Sequence, residues 1–194
     1  MNFLAHLYLS RHNDELMIGN FIADSVKGDP SKLYEGKILE GIRMHRQIDY
    51  FTDTHPINKE YFAFLRPQFG KFSGVVADIF HDHFLAANWP LAEPSLSLFV
   101  SNTYSLMNAN RDILPEKSKQ MLPYMIQYNW LEGYAEIAGI DRISKGMHSR
   151  IKADNSLNTA ADFLESNKEH CQLYYMQFFP ELFREMERFL HSAS

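Results

Sequence analysis

Hydrophobic side chains recur every three or four residues along most of the chain, as in Ile18, Phe21 and Ile22. This period places them on one face of an α-helix. Runs of strict strand alternation are absent, and so are the Asn-Gly and Asp-Gly dipeptides typical of hairpin turns. Breaks fall where glycine and proline cluster, as at Gly28-Asp29-Pro30. The pattern predicts helices over 2–11, 14–26, 34–54, 56–68, 73–88, 95–110, 117–131, 133–147, 157–166 and 168–191.

The chain of 194 residues has the length of one domain, and no repeat, low-complexity stretch or long linker divides it. Hydrophobic residues make up 45% and charged residues 22%, which is ordinary for a globular protein and excludes general disorder. We therefore predict a single compact all-α domain over residues 1–194. The amphipathic C-terminal stretch, with Phe178, Leu182 and Met186 on its apolar side, is expected to dock on the core.

Charge and cysteine content narrow the classes of function. The 19 Lys and Arg against 24 Asp and Glu give a net charge of −5, which argues against a general nucleic-acid-binding protein. The apolar start, Met1 to Ser10, lacks a basic leader and is too short for a signal peptide or a membrane span. The single cysteine, Cys171, excludes an intrachain disulfide and fits a reducing compartment. We expect a cytoplasmic protein with neither nucleic acid nor membrane as partner, and the oligomeric state stays open.

Histidines are concentrated early in the chain, where six of the nine fall within the first 83 residues. His45, Asp49 and Asp53 follow one another at i, i+4 and i+8, so on a helix they project from one stripe. Ile38 and Ile42 occupy the same stripe one and two turns earlier. Because the polar stripe continues an apolar one, we expect it to face inward.

A second predicted helix repeats this spacing with Asp78 and Asp82 at i and i+4, inside the sequence His81-Asp82-His83. Helical geometry places His81 about 60° from Asp78 and His83 about 100° from Asp82, on opposite flanks. The angles slightly favour His81 as the neighbour of the carboxylates, and the choice between the two histidines stays open.

Two further polar residues, His6 and Asp24, are embedded in apolar helical faces. Several buried carboxylates cannot all remain ionised unless a cation neutralises them. Carboxylates and imidazoles without thiolates suit Mn²⁺, Mg²⁺, Fe²⁺ or Zn²⁺. The alternatives are a hydrogen-bonded core histidine at His6 and a solvated face for the aspartates. Arg46, about 20° from Asp53 around the helix, is either an ion-pair partner or a phosphate ligand.

Stretches spread over most of the chain resemble the acyl carrier protein phosphodiesterase family, distant relatives of the HD-domain metal-dependent phosphohydrolases. These stretches are Met1-Asn-Phe-Leu-Ala-His-Leu7, Gly19-Asn-Phe-Ile-Ala-Asp24, Gly41-Ile-Arg-Met-His-Arg-Gln-Ile-Asp49 with Thr52-Asp53, Asp78 with Asp82-His83-Phe84-Leu85, and Gly146-Met147 with Ser149-Arg150. The resemblance implies an all-α fold with an HD-domain-like core and Mn²⁺-dependent removal of 4′-phosphopantetheine from holo-acyl carrier protein.

The resemblance also implies a set of site residues. The metal shell it implies consists of His6, Asp24, His45, Asp49, Asp78, Asp82 and His83. Catalytic roles are expected for His45, Arg46, Asp49 and His83. The chain departs from ordinary HD proteins because Asp82 precedes His83, whereas their motif has histidine first. His81 stands where the family is expected to carry an aromatic residue, and is either an extra ligand or a surface change.

Two other functions remain open at this stage: a phosphohydrolase acting on a nucleotide or other small phosphoester, and a non-catalytic helical binding protein. The chain has no His-Glu-x-x-His motif, Walker loop, dinucleotide-binding glycine pattern or Gly-x-Ser-x-Gly elbow. An acidic carrier protein as substrate calls for local positive charge. Residues 24–83 carry eight Lys and Arg against nine acids, and five of these acids are assigned to the expected interior site. Eight bases against the remaining four acids leave an excess of +4 that could steer such a partner.

Overall fold

In the computed structural model, the described residues 2–192 form α-helices, loops and short 3-10 helices, without any strand. The α-helices are α1 (Phe3–Leu9), α2 (Asp14–Ile22), α3 (Gly36–Thr54), α4 (Pro56–Phe69), α5 (Ser73–Ala87), α6 (Leu96–Ala109), α7 (Glu116–Gln127), α8 (Trp130–Gly133), α9 (Ile137–Arg150), α10 (Ala160–Ser166) and α11 (Lys168–Ser192). The predicted all-α fold is confirmed. The boundary 1–194 stays a prediction, since Met1, Ala193 and Ser194 lie outside the described residues.

The helix expected over 14–26 ends at Ile22, and further differences from the predicted boundaries lie between α7 and α9. One helix was expected over 117–131, but α7 ends at Gln127 and the short α8 begins at Trp130. Asn129, between them, has a left-handed backbone with φ of 44°, which no α-helix can continue through. The helix expected over 133–147 begins only at Ile137 and extends to Arg150.

Helices α2 and α3 approach each other backbone to backbone through one glycine on each. A Cβ added at Gly19 would lie 2.1 Å from the carbonyl oxygen of Ile38, and one added at Gly41 would lie 2.1 Å from that of Leu16. Only glycine fits such a crossing, because any side chain would force the helices apart. The crossing brings Asn20, next to Gly19, against His45, one turn after Gly41.

Helix α1 is held at its beginning by two side chains, the amide of Asn2 and the carboxylate of Asp82. Asn2 caps it by accepting from the backbone N–H of Phe3. The buried carboxylate of Asp82, on α5, accepts from the N–H groups of Asn2, Leu4 and Ala5 at 2.7–3.3 Å. Since the first N–H groups of a helix have no partner within it, these bonds fix α1 to α5. They thereby set the position of every residue on α1.

The hydrophobic core joins the early helices to the long C-terminal helix. Phe178, Leu182 and Met186 of α11 are buried, so this helix docks on the core as expected from its amphipathic pattern. Tyr61 of α4 stacks on Tyr174 of α11 with ring centroids 4.5 Å apart. Among the described residues, no helix has both the length and the apolar character required to cross a membrane.

We expect Gly19→Ala to lower the free energy of unfolding by about 3 kcal/mol, because the new methyl group must push α2 away from Ile38. Urea unfolding followed by circular dichroism measures the change. Gly74→Ala is the matched control, since a Cβ at this helical glycine meets nothing within 4 Å. The control should change stability by no more than about 1 kcal/mol. Equal effects of the two substitutions would contradict the close crossing.

Candidate metal centre

Three side chains from two helices converge at one point of the molecule. His45 and Asp49 lie one turn apart on α3, and His6 reaches them from α1. Nε2 of His6 lies 3.2 Å from Oδ1 of Asp49, and Nε2 of His45 lies 3.2 Å from Oδ2 of the same carboxylate. One ligand atom of each residue falls within 4.8 Å of the others. This group is a possible metal site.

The two histidine rings of this group are held parallel. Their centroids are 3.9 Å apart and their planes differ by 23°. His6 and His45 are both buried, and Asp49 is half-buried. Because the rings are stacked with both Nε2 atoms on the same side, one carboxylate can face both of them.

Asn20, fully buried on α2, determines which nitrogen of each histidine carries the hydrogen. Its Nδ2 donates to the carbonyl oxygen of His6 at 3.0 Å, so its Oδ1 faces the rings. That Oδ1 lies 3.0 Å from Nδ1 of both His6 and His45, and the Asn20 carbonyl oxygen lies 2.9 Å from Nδ1 of His45. Because amide and carbonyl oxygens only accept, both Nδ1 atoms are donors. Both Nε2 atoms are left to face Asp49, as in metal-binding histidines.

The geometry of the contact between His6 and Asp49 favours a bound cation. Burial, followed by the proximity of His45, lowers the pKa of His6 to about 4, so the ring is neutral at pH 7. With its hydrogen on Nδ1, its Nε2 is an acceptor that faces an acceptor oxygen of Asp49 at 3.2 Å. Two acceptors this close repel each other unless a positive charge lies against both. The donor set therefore fits a divalent metal ion.

His45 carries the balancing proton when no metal ion is bound. Burial alone would lower the pKa of His45, but hydrogen bonds with Asp24 and Asp49 outweigh burial and raise it to about 9. Burial opposes ionisation of Asp49, yet its hydrogen bond with protonated His45 holds its pKa well below the usual range. The bond with His45 also lowers the pKa of Asp24. The cluster thus favours ionised carboxylates and one positive charge.

An open cavity of about 310 Å³ surrounds this group and contains three more of the predicted site residues. Oδ1 of Asp24 lies 3.3 Å from Nε2 of His45, and Asp53 and Asp78 line the cavity wall. Asp24 is exposed. Asp53 is exposed too, whereas the sequence predicted that the stripe from His45 to Asp53 faces inward. The stripe instead runs from the interior to the surface, because α3 reaches solvent at its end. The excess of +4 predicted for residues 24–83 left out these aspartates because they were expected to be interior. Since Asp24 and Asp53 are exposed, that excess exists only if a bound cation neutralises them.

Asp82 and His83, also predicted as metal ligands, are not brought to this cavity. Asp82 accepts the N–H groups at the start of α1, and burial raises its pKa to about 7. Nδ1 of His83 donates to the carbonyl oxygen of Tyr134 at 2.8 Å. Burial lowers the pKa of His83, which is therefore neutral there. The structure thus gives Asp82 a structural contact that holds α1, which carries His6.

His81 and Arg46 also lie outside the group of ligand atoms. Nε2 of His81 is 3.0 Å from Oδ1 of Asn58, whose Nδ2 donates to the carbonyl oxygen of Thr52. Nη2 of Arg46 donates to the carbonyl oxygens of Val26 and Gly28 at 3.2 and 2.9 Å. Arg46 therefore holds the segment that follows Asp24, and forms no ion pair with Asp53.

Asn20 is the residue of this site that sequence reasoning missed. It is the one polar side chain in the apolar run from Met17 to Ile22, which is the signal that could have identified it. A buried amide in such a run needs partners. Helical periodicity alone does not indicate that those partners are two histidines on other helices.

Helical architecture together with a buried His/Asp cluster defines an all-α protein with a possible metal centre. A family model described as acyl carrier protein phosphodiesterase matches residues 1–182. Proteins of that name from Photorhabdus laumondii and Yersinia pestis are 33% and 31% identical over 189 residues. These alignments cover 96% of this chain and 96% and 98% of the relatives. The protein of that name from Klebsiella pneumoniae is 33% identical over 190 residues, 95% of this chain and 96% of its own.

The chain therefore belongs to the acyl carrier protein phosphodiesterase family, and the resemblance noted from its motifs is confirmed. No solved structure matches it significantly. The HD-domain-like character of the helical core consequently stays a prediction.

Asn20→Leu should weaken Mn²⁺ binding about 10–100-fold, because the histidine rings lose the acceptor that fixes their tautomer and orientation. Isothermal titration calorimetry on protein freed of metal measures the affinity. Asn58→Leu is the matched control: it removes an equally buried asparagine that also pairs with a histidine, His81, outside the cluster. Unfolding curves identify variants that are folded at the titration temperature. Mn²⁺ affinity equal in both folded variants would refute the role of Asn20.

His81 should make the protein less stable in acid. Burial lowers the pKa of His81 to about 3 from its ordinary 6.5, so the unfolded chain binds a proton between these values that the folded protein excludes. The stabilisation is complete above pH 6.5 and falls by roughly 1.4 kcal/mol per unit below it. His81→Gln can still donate to Asn58 without titrating, and should lose less stability between pH 6.5 and 3.

Urea unfolding at a series of pH values measures this difference in slope. His12→Gln, which changes an exposed histidine, is the control and should keep the slope of the unchanged protein. A slope for His81→Gln equal to that of the control would show that His81 does not exclude a proton in the folded state.

Proposed function

We propose that this protein is a metal-dependent phosphodiesterase that removes 4′-phosphopantetheine from holo-acyl carrier protein and leaves the apo form. Membership of the acyl carrier protein phosphodiesterase family supports the reaction and the substrate. The observation that carries the metal dependence is the pair of acceptor atoms, Nε2 of His6 and Oδ1 of Asp49, facing each other at 3.2 Å. The cytoplasm, where the single cysteine stays reduced, is the proposed location.

His6, His45 and Asp49 hold the ion in this proposal, and Asp24 lies close enough to contribute a fourth group. We propose Mn²⁺, with Mg²⁺, Fe²⁺ and Zn²⁺ as the alternatives that a mixed imidazole and carboxylate set also accepts. A divalent ion in this position would lower the pKa of a bound water and offset negative charge on the phosphodiester.

The chain's own residues supply orientation and proton transfer. Asn20 keeps both histidines with hydrogen on Nδ1, so that Nε2 is available to the ion. Water adds to phosphorus and gives up a proton, the bond from phosphorus to the serine oxygen of the carrier protein breaks, and that oxygen takes up a proton. Asp78, whose pKa is raised by burial, and Asp53 line the cavity and are the carboxyl groups placed to exchange that proton. Asp82 and Arg46 are assigned to positioning.

The direct experiment is incubation with holo-acyl carrier protein and Mn²⁺, followed by mass spectrometry of the carrier protein. We expect loss of the mass of 4′-phosphopantetheine, and no loss when a chelator is present. Asp49→Asn should reduce the rate at least about 100-fold, because the substituted amide weakens both metal binding and histidine orientation. Asp162→Asn, an exposed aspartate on α10, is the control and should retain full activity.

Two results would contradict the proposal. A holo-carrier protein unchanged in mass after incubation with metal-loaded protein would refute the reaction. Full activity in the presence of the chelator, or in Asp49→Asn, would refute the metal centre while leaving the reaction in place.

A further inference from the structure

Beside the metal cavity lies a second and larger groove, of about 830 Å³, between α7, α8 and α9. Its size falls within the range of cavities that bind small molecules, about 300–1,000 Å³. The proposed chemistry uses none of the residues along most of its length. Its walls include Tyr124 from α7, Tyr128 directly after α7, and Trp130 from α8.

The groove and the metal cavity adjoin each other. Asn2, Phe3 and Met147 line both of them. Phe3 begins α1, the helix that carries His6, and Met147 lies in the last turn of α9. A molecule with its phosphorus at the metal centre would pass these shared side chains to extend into the groove.

The walls of the groove suit a slender, mostly uncharged chain. Apolar atoms form most of its surface, and Asn129 and Gln120 add amides that can bond to other amides. Charged side chains also line it: Lys117, Asp141, Arg142, Lys145 and Arg150. Arg150 lies over the Trp130 ring, 5.8 Å from its centroid, and is one of the basic side chains that border the apolar surface. None of the four aspartates that line the metal cavity lines this groove.

We propose that this groove binds the pantetheine arm of the substrate, with the arm entering past Phe3 and Met147 while the carrier protein stays outside. The inference rests on the proposed function, which places the phosphodiester at the metal centre. The arm is a flexible chain with a dimethyl group, two amides and a terminal thiol, and carries no charge beyond its phosphate. The largely apolar surface suits the dimethyl group, the side-chain amides suit the two amides, and the groove adjoins the site of the phosphorus.

Gly146, on α9, is a position at which a side chain can be added to the wall of the groove. It lines the groove, and a Cβ added there would meet only the side chain of Arg150, at 3.4 Å. Gly146→Leu should raise KM for holo-acyl carrier protein at least tenfold, because the leucine occupies space needed by the arm. Gly74→Leu is the matched control, since this helical glycine has open space around its added Cβ and lines neither cavity.

A second substrate separates arm binding from the metal chemistry. Bis(p-nitrophenyl) phosphate is a phosphodiester without the arm, so Gly146→Leu should hydrolyse it at the rate of the unchanged protein. Tyr124→Ala, which removes an exposed side chain from the groove wall, should also raise KM for the carrier protein and leave this small substrate unaffected. Its exposure makes a loss of stability small.

Binding can be measured without turnover through Trp130. The chain has two tryptophans, and Trp89→Phe leaves Trp130 as the reporter. Titration of this variant with 4′-phosphopantetheine, in the presence of a chelator, should give a saturable change in fluorescence. The change should be lost when Gly146→Leu is added and kept when Gly74→Leu is added. Inorganic phosphate and adenosine monophosphate are titrated in parallel.

The outcomes distinguish this inference from the proposed function. Cleavage of holo-carrier protein with an unchanged KM in Gly146→Leu, or without a saturable Trp130 signal, overturns the groove as arm site and leaves the function standing. A saturable signal without any cleavage by the unchanged protein overturns the function but supports the groove. Tighter saturation by adenosine monophosphate than by 4′-phosphopantetheine overturns the arm in favour of a nucleotide.

Discussion

The close crossing of α2 and α3 is the constraint on which the site depends. Gly19 and Gly41 let the two backbones touch, and no side chain could be inserted between them without moving both helices. At that separation the amide of Asn20 reaches His45 directly, and also reaches His6 on α1. A packing requirement in the core thus fixes hydrogen-bond geometry at the metal centre. Stability and function are coupled here, because the residues that set the crossing are sequence neighbours of those that set the ligands.

Charge is distributed across the cluster in a way that geometry alone does not show. Two stacked histidines cannot both be protonated, so burial and mutual repulsion leave His6 neutral, while His45 keeps a proton between two carboxylates. The single proton compensates the aspartates only in part, and leaves the acceptor pair of His6 and Asp49 facing each other. A divalent cation compensates all of these groups together. The same arrangement therefore accounts for both the protonation of the free protein and its proposed affinity for metal.

The sequence predicted the helices and the proximity of His45 to Asp49, because both depend on spacing within one helix. The turn that joins His45 to Asp49 can be calculated from 3.6 residues per turn, and the structure has it. The spacing of residues along one helix does not predict which residues of another helix they will contact. Asp82 was expected at the metal because of its spacing from Asp78, yet its side chain meets the start of α1. His83 was expected there too, yet its Nδ1 donates to the carbonyl oxygen of Tyr134. Both depend on how helices pack, which periodicity does not encode.

The opening of the cavity to solvent follows from the direction of α3. The polar stripe begins buried at His45 and is exposed at Asp53, so the site has a deep end for the ion and a shallow end for a substrate. A large carrier protein can reach only the shallow end, since the deep end is enclosed by α1 and α2. Its phosphodiester lies directly on a serine, so that serine must approach the cavity from the shallow end while the arm extends beyond the phosphorus. The shared border at Phe3 and Met147 gives the arm a continuation beyond the phosphorus, which a site for a free phosphoester would not require.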